Sequence, residues 1–279
     1  MTSPLLDVQN LCVTFPAPGG RLTQAVRGVS FTLGRERLGI VGESGSGKST
    51  TGRALLGLLA PPAIVSADKL TLEGLDLRSL SRRAWRDIRG SRMAMVMQDP
   101  KYSLNPIMKI GRQIIEAYRL HHRASLAQAR GKALAMLEAV QIRDPERVLD
   151  LYPHQLSGGM GQRAMIAMML VAQPEILIAD EATSALDVTV QNGVLAILDR
   201  LVTERGMGLI FISHNLPVVA TFCDRVVVMY GGRVMETLAA RDLHNARHPY
   251  TRALLAAAPD LAAPKASLSV VTRDPAWLA

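Results

Sequence analysis

Short uninterrupted apolar runs alternate along this chain with stretches in which apolar residues recur at helical spacing. Residues 38–41 (Leu-Gly-Ile-Val) read as a strand that breaks into glycines, and a helical pattern resumes over 48–59, predicting strand, loop and helix in that order. Residues 176–179 and 209–212 are apolar without a break, the pattern of parallel strands covered on both faces, and 188–202 between them reads as a crossover helix. Residues 5–33 differ: β-branched runs broken by Pro16, Pro18, Gly19 and Gly20 predict antiparallel strands joined by a turn. Over 101–155 the period changes, and Leu126, Ala129, Ala133, Leu137 and Val140 define one apolar face of an amphipathic helix. The expected architecture is α/β: a mostly parallel core sheet, an N-terminal antiparallel β subdomain, and an α-helical subdomain over about 100–165, all within one domain spanning 1–260. Residues 261–279, rich in Ala, Pro and Ser, form a C-terminal extension whose role the pattern leaves open. No internal repeat is present, so one such unit is expected.

Composition narrows this picture. With 279 residues and 48% hydrophobic content the chain buries a sizeable core, which excludes disorder over most of its length. Its longest apolar stretches fall short of the roughly 20 residues that span a bilayer. Residues 1–10 show no basic patch followed by an apolar run, so a cytosolic location without a secretory signal is expected. Cys12 and Cys223 lie in apolar, strand-like contexts and read as two buried, reduced thiols. The net charge of +8 fits nucleic acid, an anionic membrane surface or phosphate ligands. The densest basic stretch, Arg78, Arg82, Arg83, Arg86, Arg89 and Arg92, has a single interleaved aromatic, Trp85, and reads as a solvated helical face near lipid headgroups rather than a nucleic-acid site.

The chemistry begins where the first apolar strand ends. Gly42-Glu43-Ser44-Gly45-Ser46-Gly47-Lys48-Ser49, with Thr50 after it, fits the phosphate-binding loop pattern in full. Gly42, Gly45 and Gly47 let the backbone, with that of Ser44, turn its N–H groups onto phosphate oxygens, and the helix start adds partial positive charge. Lys48 then reaches the β- and γ-phosphates of ATP, and the Ser49 hydroxyl is a ligand for Mg²⁺. A second apolar strand ends in Asp180 and Glu181; at the carboxyl end of a parallel strand Asp180 would hold Mg²⁺ and Glu181 would polarise the attacking water. The core is therefore of the P-loop nucleotide-hydrolase type. This pair of motifs is common to kinases, GTPases and helicases and leaves the biology open.

The residues between the two motifs decide it. Leu156-Ser157-Gly158-Gly159-Met160-Gly161-Gln162 resembles the signature segment of ATP-binding cassette (ABC) proteins. A serine hydroxyl with the glycine N–H groups of Gly158 and Gly159 at a helix start makes a second anion site. In that family the site closes on the γ-phosphate of ATP held by a partner subunit. The resemblance continues in order over about residues 5–260. Phe15 stands where an aromatic stacks on adenine. Gln98 resembles the glutamine that senses Mg²⁺ and water beside the transporter contact. Ser184-Ala185-Leu186-Asp187 resembles the loop that meets the opposite subunit and nucleotide, and His214 the histidine that contacts the γ-phosphate. Taken singly, a Phe at a strand end fits core packing, a Gln the surface, and a His a structural role.

Three further stretches are similar to the ATPase subunits of oligopeptide, dipeptide and nickel importers: Gln98-Asp99-Pro100-Lys101-Tyr102-Ser103-Leu104-Asn105-Pro106, Leu186-Asp187-Val188-Thr189-Val190-Gln191 and His248-Pro249-Tyr250-Thr251. The resemblance implies a second, different ATPase subunit in a heterodimer, two transmembrane permease subunits, a substrate-binding protein, no nucleic-acid partner, and a peripheral place on the cytoplasmic face of the inner membrane. Two departures stand out: Gly161 occupies a position that is often Arg, and with no cysteine after Cys223 the iron–sulfur cluster of some members is excluded. Two alternatives are an ATPase of another transporter class and a soluble clamp on DNA or the ribosome. The second is disfavoured because the chain has neither a long coiled-coil insertion nor a second cassette. Cargo is not legible here, and peptide, nickel chelate, opine and glutathione all stay open.

Overall fold

The computed structural model describes residues 3–184 and 187–257, together with Asp274 and Trp277. The chain forms two compact units, Met1–Leu80 with Gly208–Ala279 and Ser81–Met207.

The first unit opens with β1 (Leu6–Pro16) and β2 (Leu22–Leu33), followed by β3 (Arg37–Val41), α1 (Lys48–Leu55), β4 (Ile64–Ser66), β5 (Lys69–Leu72) and β6 (Leu75–Asp76). β1 and β2 are antiparallel, with Leu6 opposite Leu33 and Pro16 opposite Leu22, and they extend into a five-stranded antiparallel sheet with β4, β5 and β6. The short pieces β4 to β6 had no sequence expectation, because strands of two to four residues carry too few positions to show a period. α1 ends at Leu55, four residues short of the expected span. Gly57 takes φ +59° and its N–H closes onto Ala54, so the helix is shut off before the apolar pattern ends.

The second unit holds α2 (Arg82–Ile88), β7 (Met93–Val96), α3 (Ile110–His121), α4 (Leu126–Ala139), α5 (Pro145–Asp150), α6 (Gly158–Leu170), β8 (Ile176–Asp180) and α7 (Val188–Arg205). β7 and β8 pair in parallel and are buried throughout, and α3 to α6 supply the helical part. α4 starts at a capping box formed by Ser125 and Gln128 and buries Ala129, Ala133 and Leu137, but Leu126 is 63% exposed. It lies on the first turn, where it borders an open concavity shared with Ile115, Arg119 and Arg130. The basic stretch is not one solvated face either. Arg92 forks onto Glu175 and Arg89 lies over the Trp85 ring, both half-buried, whereas Arg82, Arg83 and Arg86 are exposed, as is Arg78, which forks onto Asp76.

The chain returns to the first unit as β9 (Gly208–Ile212), α8 (Leu216–Phe222), β10 (Arg225–Tyr230), β11 (Arg233–Ala239) and α9 (Pro249–Ala257). β9, β3 and β10 are parallel neighbours, and β11 closes antiparallel on β10. Arg37 ties β3 to β10: its guanidinium forks onto Asp224 at 2.8 and 3.1 Å, and its backbone N–H bonds the same carboxylate at 2.8 Å. Asp224 is thereby held below the usual carboxylate range, chiefly by that side-chain bond. Cys223 is buried, but Cys12 is only half-buried, on β1. Ala185, Leu186 and the extension over 261–279, apart from Asp274 and Trp277, lie outside the described residues.

Candidate nucleotide-binding site

In the first unit the phosphate loop leaves the carboxyl end of β3 and runs into α1. Gly42 adopts φ +149°, and a Cβ there would lie 2.1 Å from the Met229 carbonyl oxygen. Gly47, at φ +97°, caps α1 with equally little room: a Cβ would meet the Ala25 carbonyl oxygen at 2.5 Å. Both glycines are thus required by the close approach of neighbouring backbone. Gly45 (φ +80°) and Ser44 form the exposed crest, and Ser46 is buried. Lys48 is 5% exposed, and its ammonium donates to the carbonyl oxygens of Gly42 (2.8 Å) and Glu43 (2.7 Å) and to Ser46 Oγ (3.3 Å). A buried cation held by three neutral oxygens of a loop is a site ready for anionic oxygens. Ser49 and Thr50 follow on the first turn of α1, whose ladder begins when Thr51 N–H bonds Gly47 at 2.8 Å.

The neighbouring strand β9 brings His214 to the same edge. Ile40 pairs with Ile212, so Gly42 and His214 stand two residues further along parallel strands. Ser213 N–H bonds Ile40 at 3.1 Å, Ser213 Oγ accepts the Asn215 N–H, and His214 is exposed. Phe15, near the end of β1 opposite Thr23, is half-buried in this unit.

The second unit repeats the arrangement. Val96 pairs with Ala179, so Gln98 and Glu181 leave the parallel pair β7 and β8 at one edge. Asp180 is 6% exposed; Glu181 takes φ +50° in a turn that Ser184 closes with its N–H and its hydroxyl on the Glu181 carbonyl. Ser157 is the N-cap of α6, accepting the Met160 N–H at 3.4 Å, with Gly158 exposed behind it. Gly159 has no room for a Cβ, which would meet Val190 Cγ1 at 2.7 Å. Asp187 caps α7 by accepting the Val190 N–H at 2.9 Å.

Two contributors had no sequence expectation. Gln162, wholly buried on α6, donates its amide to the Ala182 carbonyl at 2.5 Å and so links the signature helix to the residue after Glu181. Tyr250 accepts the Glu43 N–H with its hydroxyl at 3.0 Å. Gln162 lay inside a quoted segment and Tyr250 inside another, yet neither contact is visible until the chain is folded. For Mg²⁺, the chemistry of the donors fits: a hydroxyl, a carboxamide and a carboxylate are hard oxygen ligands. Among the described residues no group of three or more His, Cys, Asp or Glu forms a cage for a metal ion.

The two loops, the acid-terminated strand and the serine-capped glycine segment define a P-loop nucleotide hydrolase of the cassette type. Residues 26–184 match the family model described as ABC transporter, and the chain belongs to that family as an ATP-binding, ATP-hydrolysing cassette. It is 49% identical over 259 residues to the probable peptide ABC transporter ATP-binding protein y4tR of Sinorhizobium fredii, covering 92% of this chain and 77% of that one. It is 48% identical over 269 residues to the glutathione import ATP-binding protein GsiA of Escherichia coli strain K12, covering 94% of this chain but only 43% of GsiA. Among solved structures, the dimeric MJ0796 cassette superposes with a TM-score of 0.75 at 26% identity, over 85% of this chain and 99% of that one. Its post-hydrolysis form, bound to ADP and Pi, matches equally well. CbiO1 of Clostridium perfringens follows at a TM-score of 0.74 and 26% identity, over 88% and 92% of the two chains.

Proposed function

We propose that the chain is the ATPase subunit of an importer for peptides or a related small solute, working at the cytoplasmic face of the inner membrane with two permease subunits, a substrate-binding protein and a second, different ATPase subunit. The observation that carries the catalytic part is Lys48, buried and held by three loop oxygens where phosphate oxygens would replace them. The cargo class rests on relatives named for peptide and for glutathione import, both amide-linked solutes. No helix among the described residues is long and apolar enough to cross a membrane, and in this reading the permeation path belongs to the permease subunits.

In this reading Gly42, Ser44, Gly45, Gly47, Lys48 and Thr50 bind the phosphates and Phe15 the adenine. Ser49, Gln98 and Asp180 would hold Mg²⁺, which when bound would neutralise phosphate charge. Glu181 orients the water that attacks the γ-phosphorus; its proton is drawn to the carboxylate as the bond to the β-phosphate oxygen breaks. His214 contacts the same phosphate. Ser157, Gly158, Gly159 and Asp187 face ATP held by the other ATPase subunit, so closure depends on nucleotide and opening follows its hydrolysis. Gln98 passes that movement to the permeases.

The test is reconstitution with the permease subunits, the second ATPase subunit and the binding protein of the same transport system. Proteoliposomes are expected to accumulate a labelled di- or tripeptide only with ATP inside the compartment facing this subunit. ATP-driven uptake of an unrelated solute with no peptide uptake would overturn the cargo class and leave the ATPase standing.

A further inference from the structure

The segment His248-Pro249-Tyr250-Thr251 has so far served only as a mark of likeness. In the folded chain its parts are arranged to aim one hydroxyl group. Glu236 on β11 accepts the N–H groups of Arg247 at 2.8 Å and His248 at 3.2 Å, which fixes the entry to α9. Pro249 fills the first helical position, where an N–H has no intrahelical partner. His248 Nδ1 accepts the Tyr250 N–H at 3.1 Å, capping the helix. The Tyr250 side chain that results is wholly buried, with ring centroids 4.5 Å from Tyr230 and 5.3 Å from Trp277, and Trp277 lies edge-on to Tyr230.

The Tyr250 hydroxyl meets the phosphate loop at a single peptide unit, the one joining Gly42 to Glu43. Its carbonyl oxygen accepts from Lys48 Nζ at 2.8 Å, and its N–H donates to Tyr250 at 3.0 Å. Gly42, at φ +149°, is the residue type that resists rotation of that peptide least. An arriving phosphate competes for the Lys48 ammonium with a stronger, charge-assisted bond, and so weakens the hold on the carbonyl end. The Tyr250 end stays fixed.

We propose that Tyr250 is a positioning residue for ATP: presented by His248 and Pro249 and backed by Tyr230 and Trp277, it holds the Gly42–Glu43 peptide in the orientation in which the loop receives phosphate. This rests on reading residues 42–49 as the ATP site. It also gives the C-terminal part of the chain a task in nucleotide binding.

The experiment is equilibrium titration of the full chain with trinitrophenyl-ATP and Mg²⁺, well below the melting temperature. Tyr250→Phe keeps the ring and removes the acceptor, and its Kd is expected to rise about three- to tenfold, the range that follows from one hydrogen bond. His248→Ala, which loosens the cap alone, is expected to give a smaller rise, and it carries the test if the phenylalanine variant does not fold. Leu243→Ala, a buried apolar residue of the segment between β11 and α9, controls for general loosening: its melting temperature is expected to fall with Kd unchanged. Lys48→Ala separates the two levels. If it binds as the parent does, the site itself is misassigned. If it loses binding while Tyr250→Phe and His248→Ala both stay within about 1.5-fold of the parent, only the role of Tyr250 is overturned.

Discussion

Two glycines show how differently one residue type is used. Gly42, at φ +149°, sits against the Met229 carbonyl and the Ser46 hydroxyl, and any Cβ would collide with that carbonyl; Gly161 faces only Pro100, at 3.5 Å, an ordinary contact. Gly42→Ala is therefore expected to destabilise by roughly 2–4 kcal/mol and abolish ATP binding. Gly161→Ala is expected to stabilise by about 1 kcal/mol through helix propensity, with ATP binding unchanged; chemical denaturation reads both. The cysteines differ as well. Burial pushes the Cys223 thiol up to about 12, whereas Cys12 is half-buried with its sulfur accepting the Gly28 N–H at 3.3 Å. At pH 8 the Cys223 side chain is therefore held as the thiol and is shielded from solvent, so iodoacetamide is expected to label Cys12 in the native protein and Cys223 only on unfolding, as peptide mapping would show.

At the scale of elements, the ion pair joining β3 to β10 sets an acid limit. The Asp224 carboxyl is lowered in the fold, so its contribution is fully present above its ordinary value of 3.8 and is lost as pH falls through the lowered one. The urea midpoints of the parent and Asp224→Asn are expected to differ by a constant amount down to about pH 5 and to converge as pH drops below it. Most of what positions the phosphate loop was legible in sequence, because β3, the glycines and α1 are contiguous and each obeys a local rule. The same holds for β8 with its two acids and for α7. What escaped depends on contacts between distant residues. The β10–β11 hairpin and α8 gave no expectation, and Tyr250 lies 207 residues from the Glu43 amide that it holds. Leu126 failed for a related reason: helical spacing identifies a face but not whether a neighbour covers its first turn.

The whole molecule carries two separate sets of groups, one around Lys48 and His214 and one around Glu181 and Ser157, and the proposed cycle needs both sets and a partner chain. Ser157 tests the partner's part. Its hydroxyl caps an exposed helix start, so Ser157→Ala is expected to cost about 1 kcal/mol of stability, to leave ATP binding by the isolated chain unchanged, and to lower hydrolysis by the assembled complex at least tenfold. The most direct measurement uses Glu181→Gln in that complex, with ATP binding and single-turnover hydrolysis followed on the same preparation. Glutamine keeps the size of the side chain and cannot take the proton of water, so ATP is expected to bind as tightly as in the parent while turnover falls by about two orders of magnitude or more. Hydrolysis at the parental rate would contradict the account.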